Sequence, residues 1–195
     1  MRSFVVVVDV QGDFINPSGA LPVAGAEALI APMTAWLRAL RPDDTAGVLF
    51  TADTHVPEIY ARSEEAKEFP PHCMRGTPGW APLLDPAAVD PAIRCYRLEK
   101  GVFDMWAEAD VVIESIGKAE VRVPRDAFFA RLKQDGVDHV RVIGVAADYC
   151  VRWAVEGLIE RGFKVTIPGA LTRGIVRQID AVAAEEWAQA DVSIS

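Results

Sequence analysis

Reactive side chains recur at one kind of place in this sequence, directly after a short apolar run. "FVVVVDV" (4–10) closes with Asp9, "AGVLFTADTH" (46–55) with Asp53 and His55, "AIRCYRLEK" (92–100) with Lys100, and "DHVRVIGVA" (138–146) leads into Asp148 and Cys150. A thiol must become a thiolate to attack a carbonyl, and its free pKa of about 8.5 is lowered by a helix N-terminus and by a nearby cation. Cys150 stands at the start of an amphipathic run, so a helix beginning there supplies the first and Lys100 the second. Asp9 can take the thiol proton as general base and return it to a leaving amine. The turn Val145-Ala146-Ala147-Asp148 places backbone N–H groups beside the thiol, and those of Ala146 and Cys150 are expected to hold the oxyanion of a tetrahedral intermediate. Each residue alone has a plainer reading, as a cap, a solvated lysine or a small buried hydrophobe. Their coincidence at successive strand ends points to a cysteine hydrolase.

The elements that must position these groups follow from the pattern between them. "GAEALIAPMTAWLRALRP" carries apolar residues at helical spacing between the first two apolar runs, which makes a β-α-β unit. The same alternation returns with strands at 92–100, 138–146 and 162–170, helices from Asp148 and around 175–188, and a last strand in "DVSIS". Strands buried on both faces and alternating with helices predict a three-layer α/β/α domain with a mainly parallel central sheet. In such a sheet ligands bind beyond the carboxyl ends of the strands, where the reactive residues lie. Residues 56–91 break the rhythm with seven prolines and no long helical period. They read as one excursion, within a loop of about 53–91 that lines a site. The segment 101–123 reads either as an extra short strand pair or as a lid.

With 195 residues, 51% hydrophobic and 25% charged, the chain suits one domain over 1–195. A net charge of −8 with scattered basic residues argues against nucleic acid as a partner. The apolar stretch at the amino terminus is too short for a signal sequence or a membrane span, so no membrane partner and a cytoplasmic location are expected. Cys73, Cys95 and Cys150 are an odd number without an export signal, which argues against a disulfide framework. A small-molecule amide as substrate and a homo-oligomeric assembly complete the expectation.

"DVQGDF" (9–14), "DTH" (53–55), "FPPHCMRGTPG" (69–79), "EKG" (99–101) and "GVAADYCV" (144–151) together resemble the isochorismatase-like cysteine hydrolases, and among them most closely the nicotinamidases. The resemblance implies the isochorismatase-like hydrolase fold and a catalytic triad at Asp9, Lys100 and Cys150. It implies a divalent metal, zinc first and iron or manganese next, held by Asp53, His55 and His72 with Glu65, or its neighbour Glu64, as an added acidic ligand. It also implies a cis peptide between Val145 and Ala146, and an aromatic wall from Phe14 and Phe69 against a substrate ring. Two imidazoles with one or two carboxylates suit such an ion and leave positions open.

The sequence departs from that pattern in places. Ala147 stands where many nicotinamidases have Thr, and "GVFDMWAEADVVIE" replaces the usual Tyr-Ser-x-Phe after the lysine, so Phe103 and Trp106 are expected to supply the missing aromatic cover. The leading reading is hydrolysis of nicotinamide to nicotinate and ammonia through a Cys thioester. The alternatives are another small amide or N-carbamoyl compound, or a binding protein with a structural zinc at Asp53, His55, His72 and Cys73.

Overall fold

A computed structural model describes residues 2–117 and 121–195. Its strands are β1 (Ser3–Val8), β2 (Thr45–Asp53), β3 (Cys95–Lys100), β4 (Val112–Ile116), β5 (Arg122–Pro124), β6 (His139–Val145), β7 (Lys164–Ile167), β8 (Thr172–Arg173) and β9 (Val192–Ile194). The helices are α1 (Gly12–Ile15), α2 (Ile30–Arg38), α3 (Pro57–Tyr60), α4 (Arg125–Gln134), α5 (Cys150–Glu160) and α6 (Ile179–Glu186). Among the described residues the strands form one sheet in the order β5-β4-β3-β2-β1-β6-β7-β9, with the two-residue β8 beside the end of β6.

All six residues of β1 are buried because it lies at the centre, with parallel neighbours β2 and β6. Its alternating side chains feed two separate cores. Phe4, Val6 and Val8 pack with Phe128 and Phe129 of α4 and with Val151, Val155 and Leu158 of α5, while Val5 and Val7 pack with Met33 and Leu37 of α2. Period-two alternation in a fully buried strand thus yields the three layers expected from the sequence. From β1 the chain moves outward to β2 and β3 on one side, then crosses to β6 and β7 on the other. The crevice between β1 and β6 is therefore the topological switch point.

The segment 101–123 resolves in favour of the strand pair: β4 runs antiparallel to β3, and β5 antiparallel to β4. Residues 118–120 of it lie outside the described residues. The third central strand starts at Cys95 rather than at 92. Helix α4 has no counterpart in the sequence reading, because its apolar face is only Phe128, Phe129 and Leu132 in a helix otherwise rich in charge, a short signal. No helix among the described residues is long and apolar enough to cross a membrane.

Gly144 marks where β6 passes closest to β1. Its φ is +127°, and a Cβ there would be driven into the backbone carbonyl of Val8. Gly144→Ala is therefore expected to cost at least about 3 kcal/mol. It should appear as a lower urea midpoint at unchanged slope; an unchanged midpoint would mean that the two strands can part without cost.

Candidate active site

The strand ends deliver their side chains to one place. Asp53 and Lys100 are register partners across β2 and β3, Asp9 follows β1 in a left-handed conformation with φ +49°, and Cys150 opens α5. The Lys100 ammonium lies 2.8 Å from Asp9 Oδ2, 3.3 Å from Asp53 Oδ1 and 3.7 Å from Cys150 Sγ. Its N–H groups donate to Asp53 Oδ1 and Cys150 Sγ, while Asp9 Oδ2 is held by its charge. All four residues are buried.

On its other side Asp53 turns Oδ2 toward two imidazoles, 3.1 Å from His55 Nε2 and 3.3 Å from His72 Nε2. Glu65 Oε1 lies 3.5 Å and 3.1 Å from the same two nitrogens. One ligand atom from each of the four residues falls within 4.8 Å of the others. His72 is oriented from behind: its Nδ1 sits 2.8 Å from the Pro70 carbonyl, and a carbonyl only accepts, so Nδ1 carries the proton and Nε2 points its lone pair into the cluster. Glu64, by contrast, is on the surface and paired with Lys67, so Glu65 is the acidic residue that turns inward.

These donors fit a divalent cation on two independent counts. Both carboxylate oxygens of Glu65 and Nε2 of His72 are buried without a hydrogen-bond partner, a costly arrangement unless something positive sits among them. Asp9 and Asp53 lie against the buried Lys100 ammonium and a third buried carboxylate, Glu65, lies beyond Asp53, so one divalent ion would supply the two positive charges that the three carboxylates lack. Without a metal, protons fill that role. Burial opposes charging either imidazole, yet the close carboxylates of Asp53 and Glu65 prevail and raise both His55 and His72 to about 9. Burial likewise opposes the charge of Asp53, but Lys100 and the two histidines hold its carboxyl far below the usual range.

The thiol departs from the sequence expectation. Burial pushes Cys150 well above the ordinary thiol range; Lys100 pulls it down, while Asp9, which also hydrogen-bonds it, pushes it up again. The helix start and the cation do not overcome that desolvation, so the net direction at the thiol is upward. The Val145–Ala146 peptide is cis. Ala147 N–H donates to the Arg173 carbonyl, and the N–H groups of Tyr149 and Val151 donate to the Ala146 carbonyl. Among the described residues the N–H groups of Ala146 and Cys150 have no partner.

Three of the four expected wall residues gather at this site. Phe14 lies 5.4 Å from the His72 ring, Phe69 lies 5.3 Å from Phe103, and Phe103 stacks near His72 at 10°. Trp106 does not join them. It packs on the outer side of α5 against Phe129, with Arg161 3.8 Å from its ring and its Nε1–H donating to the Ala154 carbonyl. Tyr149 takes the place expected for it, 5.5 Å from both Phe69 and Phe103; an aromatic directly before the cysteine was the available signal.

Sequence reading also missed the residues that hold the others. Gln11 Nε2 donates to the carbonyls of Asp53 and Trp80, both at 2.8 Å, and its Oε1 accepts from Asp53 N–H at 2.7 Å. Asp13 accepts from Cys73 N–H at 2.7 Å and from Ala20 N–H at 3.0 Å, tying the loop that carries His72 to α1. Cys73 itself is buried beside that loop, and Cys95 is half-buried and mid-strand.

The family model for the isochorismatase domain matches residues 3–186, and the chain belongs to that family. It is 30% identical over 195 residues to a nicotinamidase/pyrazinamidase of Mycobacterium tuberculosis (strain ATCC 25618 / H37Rv), a match covering 97% of this chain and 96% of the relative. Among solved structures, the crystal structure of a pyrazinamidase of Pyrococcus horikoshii in complex with zinc superposes with a TM-score of 0.73 at 24% identity, covering all of this chain and 99% of the other. An N-carbamoylsarcosine amidase from Thermoplasma acidophilum superposes at 0.72 with 19% identity, covering all of this chain and 96% of the other. With such relatives the chain is an enzyme, a hydrolase of amide bonds.

Removing the Gln11 amide should cost stability at the site. Gln11→Leu strands the N–H and carbonyl of Asp53 and the carbonyl of Trp80 in a buried place, for an expected loss of about 2–4 kcal/mol. Chemical denaturation of the purified protein checks this, and a loss below about 1 kcal/mol would show that water replaces the amide.

Proposed function

We propose that this chain hydrolyses nicotinamide to nicotinate and ammonia through a thioester on Cys150, with Asp9 as proton carrier and Lys100 as the cation that steadies both. The observation that carries the reading is Lys100 itself, whose ammonium faces the thiol, the Asp9 carboxylate and the Asp53 carboxylate at once. It joins a thiol chemistry to a buried ligand set, and the Mycobacterium relative of matching length carries the activity in its name.

The steps follow from these atoms. As Sγ attacks the carboxamide carbon, the thiol proton passes to Asp9 and the carbonyl oxygen becomes an oxyanion. The unpartnered N–H groups of Ala146 and Cys150 are donors suited to that oxyanion, each removal costing roughly 3 kcal/mol in the transition state. The intermediate collapses with cleavage of the C–N bond, and Asp9 returns the proton to the departing nitrogen, releasing ammonia. Water then attacks the thioester and gives one proton to Asp9. The C–S bond breaks, nicotinic acid leaves, and the proton goes back to sulfur.

Asp53, His55, Glu65 and His72 are the residues that would hold a divalent ion, zinc before iron or manganese, and such an ion supplies a Lewis-acid position that accepts a pyridine nitrogen. Phe14, Phe69, Phe103 and Tyr149 give a flat ring its apolar contacts. The replaced stretch after Lys100 favours a second reading, in which the same thiol chemistry serves another small amide or N-carbamoyl compound.

Ammonia release separates the two. Nicotinamide should be turned over, benzamide at least about tenfold more poorly, and chelation or His72→Ala should cripple the nicotinamide reaction chiefly through KM. Cys150→Ala and Asp9→Asn should each lose about a thousandfold or more in kcat while staying folded. Equal rates on benzamide and nicotinamide, or protein without stoichiometric metal by elemental analysis, would move the assignment to the other amides.

A further inference from the structure

Thr51 lies inside β2 and is buried, in a run, "VLFTAD", where valine would serve β-propensity and volume equally well. A hydroxyl at that place needs a polar reason, and the structure supplies one. Thr51 Oγ1 accepts the backbone N–H of Asp9 at 3.2 Å and donates to Asp9 Oδ1 at 2.5 Å. A hydroxyl has a single proton. With Asp9 N–H arriving on its lone pair, that proton is directed at Oδ1. The other carboxylate oxygen, Oδ2, faces Lys100 at 2.8 Å and has no aligned hydrogen-bond donor of its own.

We propose that Thr51 is a positioning residue for proton transfer, occupying Oδ1 of Asp9 so that Oδ2, beside Lys100, is the oxygen that exchanges the proton with the Cys150 sulfur and the leaving nitrogen. The inference rests on the thioester reading above. The clamp acts on the backbone as well as on the side chain. Asp9 holds a φ of +49°, a conformation that non-glycine residues keep only when their surroundings impose it. The hydroxyl grips both the N–H and the carboxylate of the same residue, which fixes χ1 and χ2 relative to that strained backbone. Without it the carboxyl can rotate and offer either oxygen, or neither, to the thiol.

A residue that merely fills space would tolerate valine. Nicotinamide turnover, bound zinc per chain and urea unfolding should be measured on wild type, Thr51→Val and Thr51→Ser, with Cys150→Ala and Asp9→Asn beside them. Thr51→Val is expected to lower kcat about 30-fold or more with KM within about threefold and zinc content unchanged, since proton transfer and not binding is impaired. Thr51→Ser, which keeps the hydroxyl and loses a methyl, should recover kcat to within about threefold of wild type. Should Val fail to fold, Thr51→Ala against Thr51→Ser makes the same comparison. Val or Ala with normal kcat, or Ser as slow as either, overturns the role of Thr51. Turnover persisting in Cys150→Ala or Asp9→Asn removes the thioester reading itself, a result distinct from normal turnover in Thr51→Val with both of those variants dead.

Discussion

Everything at this site answers to one constraint: Lys100 is a buried ammonium, and a buried charge must be surrounded by partners. Its stem enters from the end of β3, and its ammonium lies against Asp9, Asp53 and Cys150. Two carboxylates around one ammonium would leave an excess of negative charge, and Glu65 adds to it. The imbalance is met on the far side of Asp53, where two imidazole nitrogens converge on the same space. Asp53 therefore belongs to both halves of the site, one oxygen to the ammonium and the other to the imidazoles. Neither half is electrostatically complete alone, which explains why a Pro-rich excursion of the chain is folded down to bring His72 and Glu65 there.

The fold meets that constraint by lacing strand ends together with neutral polar side chains. Parallel strands bring Asp9, Asp53 and Lys100 to the same edge of the sheet, but backbone pairing stops where the chains diverge, and the carboxylates would be loose there. Thr51 of β2 reaches across to Asp9, and Gln11 after β1 reaches back to both backbone groups of Asp53. The two side chains reach in opposite directions between the same pair of strand ends. Asp13 then secures the backbone of Cys73, beside His72. Thr51 and Gln11, being uncharged, suit this duty at the strand ends, because each adds hydrogen bonds without altering the balance of charge.

What the sequence makes legible follows from how each signal is written. Asp9 and Asp53 are legible because each ends an apolar β-branched run where a charge is conspicuous, Cys150 because it follows such a run at the start of a helical pattern, and Lys100 because it closes a strand of alternating character. The aromatic wall, Glu65 and the two histidines rest on resemblance, since D-x-H and a lone Glu in a loop have many other uses. Thr51 and Gln11 are hidden because a threonine in a strand is ordinary, and a glutamine shows its purpose only once its three partners are in view. Trp106 misleads for a related reason. Three residues beyond Phe103 it looks like more of the same surface, but the chain turns between them, and Gly157 of α5 leaves a gap that the indole fills. The thiol acidity is hidden too, because desolvation depends on the whole packed shell and not on the helix start that the sequence reveals.

A thiol that keeps its proton at rest fits the arrangement around Lys100. Were the thiolate formed in advance, a third anion would lie against one ammonium in a buried place. In the proposed reaction the proton leaves Sγ for Asp9 during attack, so as negative charge forms on sulfur it is cancelled on the carboxyl. Both atoms already face the same Lys100 ammonium, at 3.7 Å and 2.8 Å. The charge thus migrates between two acceptors of one fixed cation, and the net burial of charge does not change. Little reorganisation is required of the surroundings, which is the condition under which preset dipoles and charges lower a barrier most. The same exchange runs backward when the proton is handed to the departing nitrogen, so a single ammonium serves every proton transfer in the cycle. Burial that raises the thiol and a cation that does not fully offset it are then two parts of one arrangement under the proposed reaction, in which sulfur gains charge as a substrate carbonyl receives it.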